Sequence, residues 1–283
     1  LTGKAKACLF FPDPRSQSTD STLAALGAML PSDCPVLGGT AARIGTSDVA
    51  PVQLFGNKVV HDAVPILLLG GDVQCAFGVC NSWQPVGALA ITEQSRGNVV
   101  GRIGGRPALE FYQHYLGPHI KPASEFPLAV HDQEVDRFYL RVPIDYDLDT
   151  GSITFGAPIP EGSMVQLSEA TPQRILEETE RSISAAMEGF NGTPALALAF
   201  SCNARKGILG TQVVRERELL SAHLGEGVAS AGFFGFAEFS PLVGGEATQR
   251  LHHATLVTVL IGDGVQDDNL GLNNESEETE TTE

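Results

Sequence analysis

The sequence has no C-x-x-C pair, no G-x-S-x-G elbow, no Walker loop and no H-E-x-x-H helix motif, and each absence removes a class of chemistry. Zinc knuckles, dithiol exchange, and the common serine and zinc hydrolases are all disfavoured. "GGTAARIG" (38–45) misses the G-x-G-x-x-G spacing of a dinucleotide-binding loop. Long apolar runs are lacking too: "TLVTVLIG" (255–262) falls far short of the roughly twenty residues a membrane-spanning helix needs. "ACLFF", after Lys4 and Lys6, is cut off at Pro12 and is too short for the apolar part of a signal peptide. Basic residues are scarce, 18 against 34 acidic, and the net charge of −16 repels phosphate backbones and anionic lipid. Neither nucleic acid nor membrane insertion is expected. Half of that charge lies in residues 263–283, which carry eight acids and no base and read as a disordered tail or a linker. Five scattered cysteines, an odd number, fit a reducing, cytoplasmic setting. The chain opens on Leu1 instead of methionine, so a fragment of a longer protein is expected.

What is present alternates between strand and helix signals. "AKACLFF" (5–11) reads as a strand, "STDSTLAALGAML" (18–30) as a capped helix, and "CPVLGG" (34–39) as a strand. A run of extended segments follows, with Gly56-Asn57 marking a hairpin in "FGNKVV" and short turns favouring antiparallel pairing. "RPALEFYQHYLG" (106–117) reads as a helix stopped by Gly117 and Pro118. The later segments "TPALALAFSC", "VVRERELLSAHLG", "VASAGFFGFAEFSP" and "HHATLVTVLIGD" repeat the order of character of "AKACLFFPDP", the 18–30 helix, "CPVLGGTAA" and "HDAVPILLLGGD". That repetition points to a duplication with pseudo-twofold symmetry, and ligand sites often lie between such lobes.

Seven segments in order, "PVLGGTAA", "GNKVVHDAV", "SWQPVGALAIT", "GNVVGRIGGRPALEFYQHYLG", "FGAPIPEGSMVQL", "PALALAFSCNAR" and "GFFGFAEFSPL…LHHATLVTVLI", resemble the landmarks of the FIST family. The likeness spans residues 5–262. It implies the later part of the FIST N-terminal segment over 1–105 and the FIST C-terminal segment over 106–262. The expected architecture is α+β, with two related lobes whose antiparallel-rich sheets are covered by helices. The expected role is a non-catalytic sensory module that binds a small ligand, an amino acid among the candidates, and relays it to a signalling output domain or partner protein. Two other roles follow from other members of the family: a haem-based nitric oxide sensor, and a protein-recognition module like an F-box relative. No cofactor or metal is expected. Where "H-G-W" is common in the family this chain has "NSW" (81–83), and Ala237 stands where a glycine usually precedes the glutamate, so no axial histidine carries over.

The candidate ligand-binding residues are Gly38, Gly39, Thr40, Trp83, Cys202, Arg205 and Glu238. The glycine pair is a turn first and a site of close backbone approach second. Trp83 reads either as a core plug or as an aromatic wall. Cys202 and Arg205, at the end of a buried-looking strand, either face a cleft or are a buried thiol and an arginine paired to an acid. If 228–236 is one buried strand, alternation sends Phe234, Phe236 and then Glu238 to one face. Such a carboxylate needs a partner, and three are open: a backbone N–H cluster, an arginine such as Arg205 in an internal ion pair, or a ligand's ammonium group.

Overall fold

The computed structural model describes residues 3–14, 19–42, 51–132, 137–241 and 249–263. All but the first residue of the acidic tail therefore lies outside the described residues. The chain opens with β1 (Ala5–Phe10), α1 (Thr19–Met29) and β2 (Val36–Gly39). A hairpin follows, β3 (Gln53–Phe55) and β4 (Lys58–Val60), turning at Gly56 with φ 61° as the Gly-Asn signal requires. Then come β5 (Ile66–Gly70), β6 (Val73–Asn81), β7 (Gln84–Arg96), β8 (Val99–Ile103), β9 (Arg106–Pro107) and α2 (Ala108–Leu116). The middle holds β10 (Leu128–Asp132), β11 (Arg137–Arg141), β12 (Pro143–Tyr146), β13 (Ile153–Phe155) and β14 (Met164–Glu169). The last part holds α3 (Pro172–Glu188), β15 (Leu196–Cys202), α4 (Asn203–Leu209), a 3-10 turn (Gly210–Val213) and α5 (Val214–Leu224). It closes with β16 (Ala229–Gly235), β17 (Glu238–Pro241), β18 (Gln249–His252) and β19 (Thr255–Asp263).

α3 shows how directly sequence writes local structure. Thr171 caps it by accepting from the Arg174 N–H, Pro172 occupies the first turn, and Ile175, Thr179, Ser182, Ile183 and Ala186 bury one face at helical spacing.

The architecture is α+β. Two mixed sheets stack face to face, ordered β18-β17-β2-β1-β5 and β16-β15-β19-β6. Leu9 and Leu37 of the first meet Phe200, Val257 and Val259 of the second in one apolar layer. α1 covers the outer face of the first sheet through Leu23 against Cys8, Phe10 and Val36. α3 and α5 cover the outer face of the second through Ile183, Leu220 and Leu224 against Ala197 and Leu260. A third, eight-stranded sheet, β11-β10-β14-β7-β8-β13-β12 with β9 on β8, packs its apolar face on α2.

The duplication is visible as topology. β1 pairs parallel with β2 and antiparallel with β5; β15 pairs parallel with β16 and antiparallel with β19. Each three-strand unit carries helix between its parallel strands and a hairpin, β3–β4 or β17–β18, before its antiparallel strand. Strands also cross between the units: β6 pairs with β19, and β17 pairs with β2.

One expectation needs correcting here. "VASAGFFGFAEFSP" is not a single strand. It breaks after Gly235, and the chain leaves the second sheet as β16 and enters the first as β17. The alternation that grouped Phe234, Phe236 and Glu238 on one face stops at that break.

Candidate functional site

The break is held by a reciprocal clasp. The Thr40 N–H donates to the Ala237 carbonyl at 2.9 Å, and the Ala237 N–H donates to Thr40 Oγ1 at 3.0 Å. β17 then pairs antiparallel with β2, Glu238 opposite Gly39 and Phe239 opposite Gly38. Glycine is required at this approach: Gly38 has φ 148°, and a Cβ there would lie 2.2 Å from the Phe10 carbonyl oxygen. A cavity of about 400 Å³ opens beside the clasp, lined by Thr40, Asn98, Gly156, Phe236 and Ala237 among others.

Glu238, the next residue after Ala237, is fully buried. Its Oε2 accepts from Thr255 Oγ1 at 2.8 Å and from the Thr255 N–H at 3.2 Å, while Oε1 has no hydrogen-bond partner among the described residues. Burial pushes the carboxyl up to about 8, and the Thr255 hydrogen bonds, the Arg205 charge and the Cys202 thiol oppose that only in part. Either protonation form leaves Oε1 short: the acid lacks an acceptor for its proton among the described residues, and the carboxylate has no cation in direct contact. His253, packed against Phe236, is buried with neither ring nitrogen in a hydrogen bond among the described residues, and desolvation holds it neutral, well below the usual histidine range. His252 is buried too, its Nε2 3.1 Å from both the hydroxyl and the carbonyl oxygen of Ser240, and burial pulls it down to about 4.

The structure thus brings Gly38, Gly39, Thr40 and Glu238 to one junction, with Cys202 ending β15 beside it. The Cys202 thiol is buried 3.8 Å from the Phe236 carbonyl oxygen, and desolvation raises its pKa far above the thiol range, so it carries no thiolate chemistry. Trp83 is a core plug here. It is 2% exposed, packs in one cluster with Cys202, Ala204 and Ala254, and donates Nε1–H to the Glu125 carbonyl at 2.9 Å.

Arg205 corrects the other expectation, because the Arg205–Glu238 ion pair does not form. The guanidinium is fully buried and pairs with Glu216, Nη2 to Oε1 at 2.7 Å and Nε to Oε1 at 3.0 Å. It also donates to Ser82 Oγ at 2.6 Å and Thr179 Oγ1 at 2.7 Å. All of its direction is fixed away from the junction, as the alternative of an arginine paired to an acid anticipated.

Thr255 and His253 escaped the sequence reading, and Phe236, expected on the face of Glu238, packs against His253 at the break. The adjacent histidines of "HHAT" were visible, but their common burial comes from Ala254, whose φ of 60° turns the chain between β18 and β19. Haem does not fit here. His253 offers free ring nitrogens, but Gly156 closes on its Nε2, 2.7 Å from where a Cβ would sit, and Phe236 packs edge-on at 5.6 Å. No slot is left for a macrocycle against that ring, and among the described residues no cluster of three or more His, Cys, Asp or Glu could hold a metal ion.

The FIST N domain family matches residues 2–106, and the FIST C domain family matches residues 108–241. An uncharacterized protein of Mycobacterium tuberculosis is 26% identical over 271 residues, covering 90% of this chain and 68% of its own length. One of Mycobacterium bovis is 23% identical over 274 residues, covering 91% and 68%. One of Methanocaldococcus jannaschii is 27% identical over 135 residues, covering 46% and 26%.

Proposed function

The chain belongs to the FIST family, whose domains are known as sensory domains of signal transduction proteins, and from that premise we propose that it binds a small amine-bearing molecule at the clasp and relays binding to a signalling output. Amino acids are the first candidates. The observation that carries the reading is the unpartnered Oε1 of Glu238, buried one residue from a cavity-lining backbone. An ammonium group there supplies the missing partner and stabilises the carboxylate, drawing its pKa down from about 8. With Arg205 committed to Glu216, the described residues lining the cavity offer no base for a ligand carboxylate, so the amine is taken as the recognised group.

Relay follows from the clasp's position. Glu238 has no surface of its own, so a ligand reaches it by displacing the Phe236–Ala237 crossover, which belongs to both stacked sheets. A ligand that favours the displaced arrangement shifts the population between two packings of the sheets. A cytoplasmic setting belongs to the same proposal, supported by five cysteines that are all free thiols.

The test is a thermal-shift screen with the twenty amino acids and their decarboxylated amines. A ligand at a hundred times its Kd stabilises by about 2.7 kcal/mol, which is several degrees for a chain of this size. One amino acid or amine should raise the melting temperature selectively, and Glu238→Gln should remove the rise while remaining folded. Equal shifts in wild type and variant would take Glu238 out of the site, and a flat screen would count against amines as the ligand class.

A further inference from the structure

A second cavity, separate from the clasp, lies under the second sheet. It measures about 250 Å³ and separates β15, β16 and β19 from α3 and α5. Register explains it. Gly232, Ala199, Thr258 and Gly78 stand side by side across the four strands, a row with almost no side-chain volume. At the Gly78 end α3 closes down until a Cβ would lie 2.0 Å from the Ser182 carbonyl oxygen. At the Gly232 end the helices stay back, and the space is walled by Ile183, Leu220 and Phe234.

The buried polar edge of this cavity accepts hydrogen bonds and has none to give, while Arg217 and Ser230, which also line it, are exposed to solvent. Ser182 Oγ donates to the Gly78 carbonyl at 3.0 Å, so in its 2.9 Å contact with Thr258 the threonine is the donor. Ser201 Oγ donates to Glu216 Oε2 at 3.2 Å, and Thr179 Oγ1 donates to the Ile175 carbonyl at 2.8 Å. Arg205 balances the Glu216 charge. The three buried hydroxyls that line the space, Thr179, Ser201 and Thr258, therefore keep lone pairs but no free hydrogen.

We infer that this cavity binds a neutral, compact, apolar molecule carrying one N–H or O–H donor. The walls are mostly apolar, and a cavity of about 150 Å³ already admits benzene, so this one has room for a fused two-ring aromatic. A buried anion is disfavoured, because inside it meets oxygen acceptors, and the Arg217 guanidinium of the lining stays exposed and solvated.

The full chain, titrated calorimetrically with indole, 1-methylindole and octanoate, tests this. Indole should bind once per chain. 1-Methylindole, nearly the same size without the donor, should bind about tenfold more weakly, and octanoate should not bind. Thr258→Val should shrink the preference for indole over 1-methylindole. Ala199→Leu, or Leu220→Phe should the first fail to fold, should abolish both while the melting transition stays cooperative. Glu238→Gln should leave indole binding unchanged, which separates this site from the clasp. Equal affinity for the two indoles, octanoate binding that is lost in Arg217→Gln, indole binding that survives Ala199→Leu, or no heat with indole up to its solubility would each overturn the inference.

Discussion

The unit built from β1, β2 and β5 and the unit built from β15, β16 and β19 share one topology, yet they bury their matching strands very differently. β19 is central: its outer edge is taken by β6, and Val257, Val259 and Leu260 are fully buried. β5 is the equivalent strand at a sheet edge, and Ile66, Leu67 and Leu68 are 36%, 52% and 37% exposed. The parallel partners reverse the asymmetry, since β2 has its edge covered by β17 while β16 is an edge strand. Both exchanges place strands of one half in the sheet of the other. The lesson is that apolar character makes a strand, but the neighbour on its far edge decides whether the strand becomes core. The second unit also holds the buried ion pair and the second cavity, and the clasp lies where the two units exchange strands.

The comparison can be broken hardest at the ion pair. Arg205→Ala leaves Glu216 buried and uncompensated, and should cost about 3–5 kcal/mol in urea unfolding. A loss under about 1 kcal/mol would mean that water reaches Glu216 and that the second unit does not depend on the pair.

The matching crossover glycines come next. Gly38 and Gly235 each close the parallel pairing of their unit, opposite Phe10 and Cys202. A Cβ at Gly38 collides with backbone at 2.2 Å in a left-handed conformation, whereas at Gly235 the nearest atom is the Thr40 carbonyl oxygen at 2.7 Å. Gly38→Ala should therefore destabilise by about 3 kcal/mol and Gly235→Ala by about half as much. The reverse order would show that the clasp yields at β2 more easily than at β16.

The third effect is a pH slope. Glu238 holds its proton up to about pH 8 when folded but only below about 4.5 when unfolded, so between those values the folded state binds more protons and stability falls as pH rises. His252 works in the opposite sense: its folded pKa near 4 lies below its ordinary 6.5, and stability rises between those values. His253, also lowered by burial, adds to the histidine contribution, which is nearly complete only above about pH 7.5. With Glu238 acting at up to about 1.4 kcal/mol per pH unit against them, stability should drop by about 1 kcal/mol from pH 6.5 to 8, and Glu238→Gln should remove that fall. An unchanged slope in the variant would assign it to another group.

The smallest effect lies on the open edge. Leu67→Lys should change stability by no more than about 0.5 kcal/mol, because the side chain is half in water already. A loss of several kcal/mol in dilute solution would show that β5 is covered in the native protein and that the two units are more alike than their exposures indicate.

Much of this was legible in the residues. The seven ordered segments carried the family, the helical spacing of α3 and the Gly56-Asn57 turn carried local structure, and the repeated order of strands and helix carried the shared topology of the two units. Of the candidate residues, Gly38, Gly39, Thr40 and Glu238 converge, because glycine beside a strand end signals backbone approach and a carboxylate after four phenylalanines signals an unusual environment. Thr255 and His253 were missed because nothing local marks them. Their role depends on Ala254 turning the chain and on Gly156 arriving from the third sheet. Arg205 found its acid in Glu216, inside "VRERELL", a charged run in which one glutamate looks like another until α5 docks.

Side-chain periodicity and turn chemistry, acting within a few residues, set which segments form strands and helices, in what order, and that the order occurs twice. Only the tertiary structure decided that β17 leaves the sheet of β16, that β5 is an edge while β19 is core, and that Glu238 is left one hydrogen bond short. Strand partnership is settled between residues as far apart as Thr40 and Ala237, and no local pattern fixes which far edge a strand will meet.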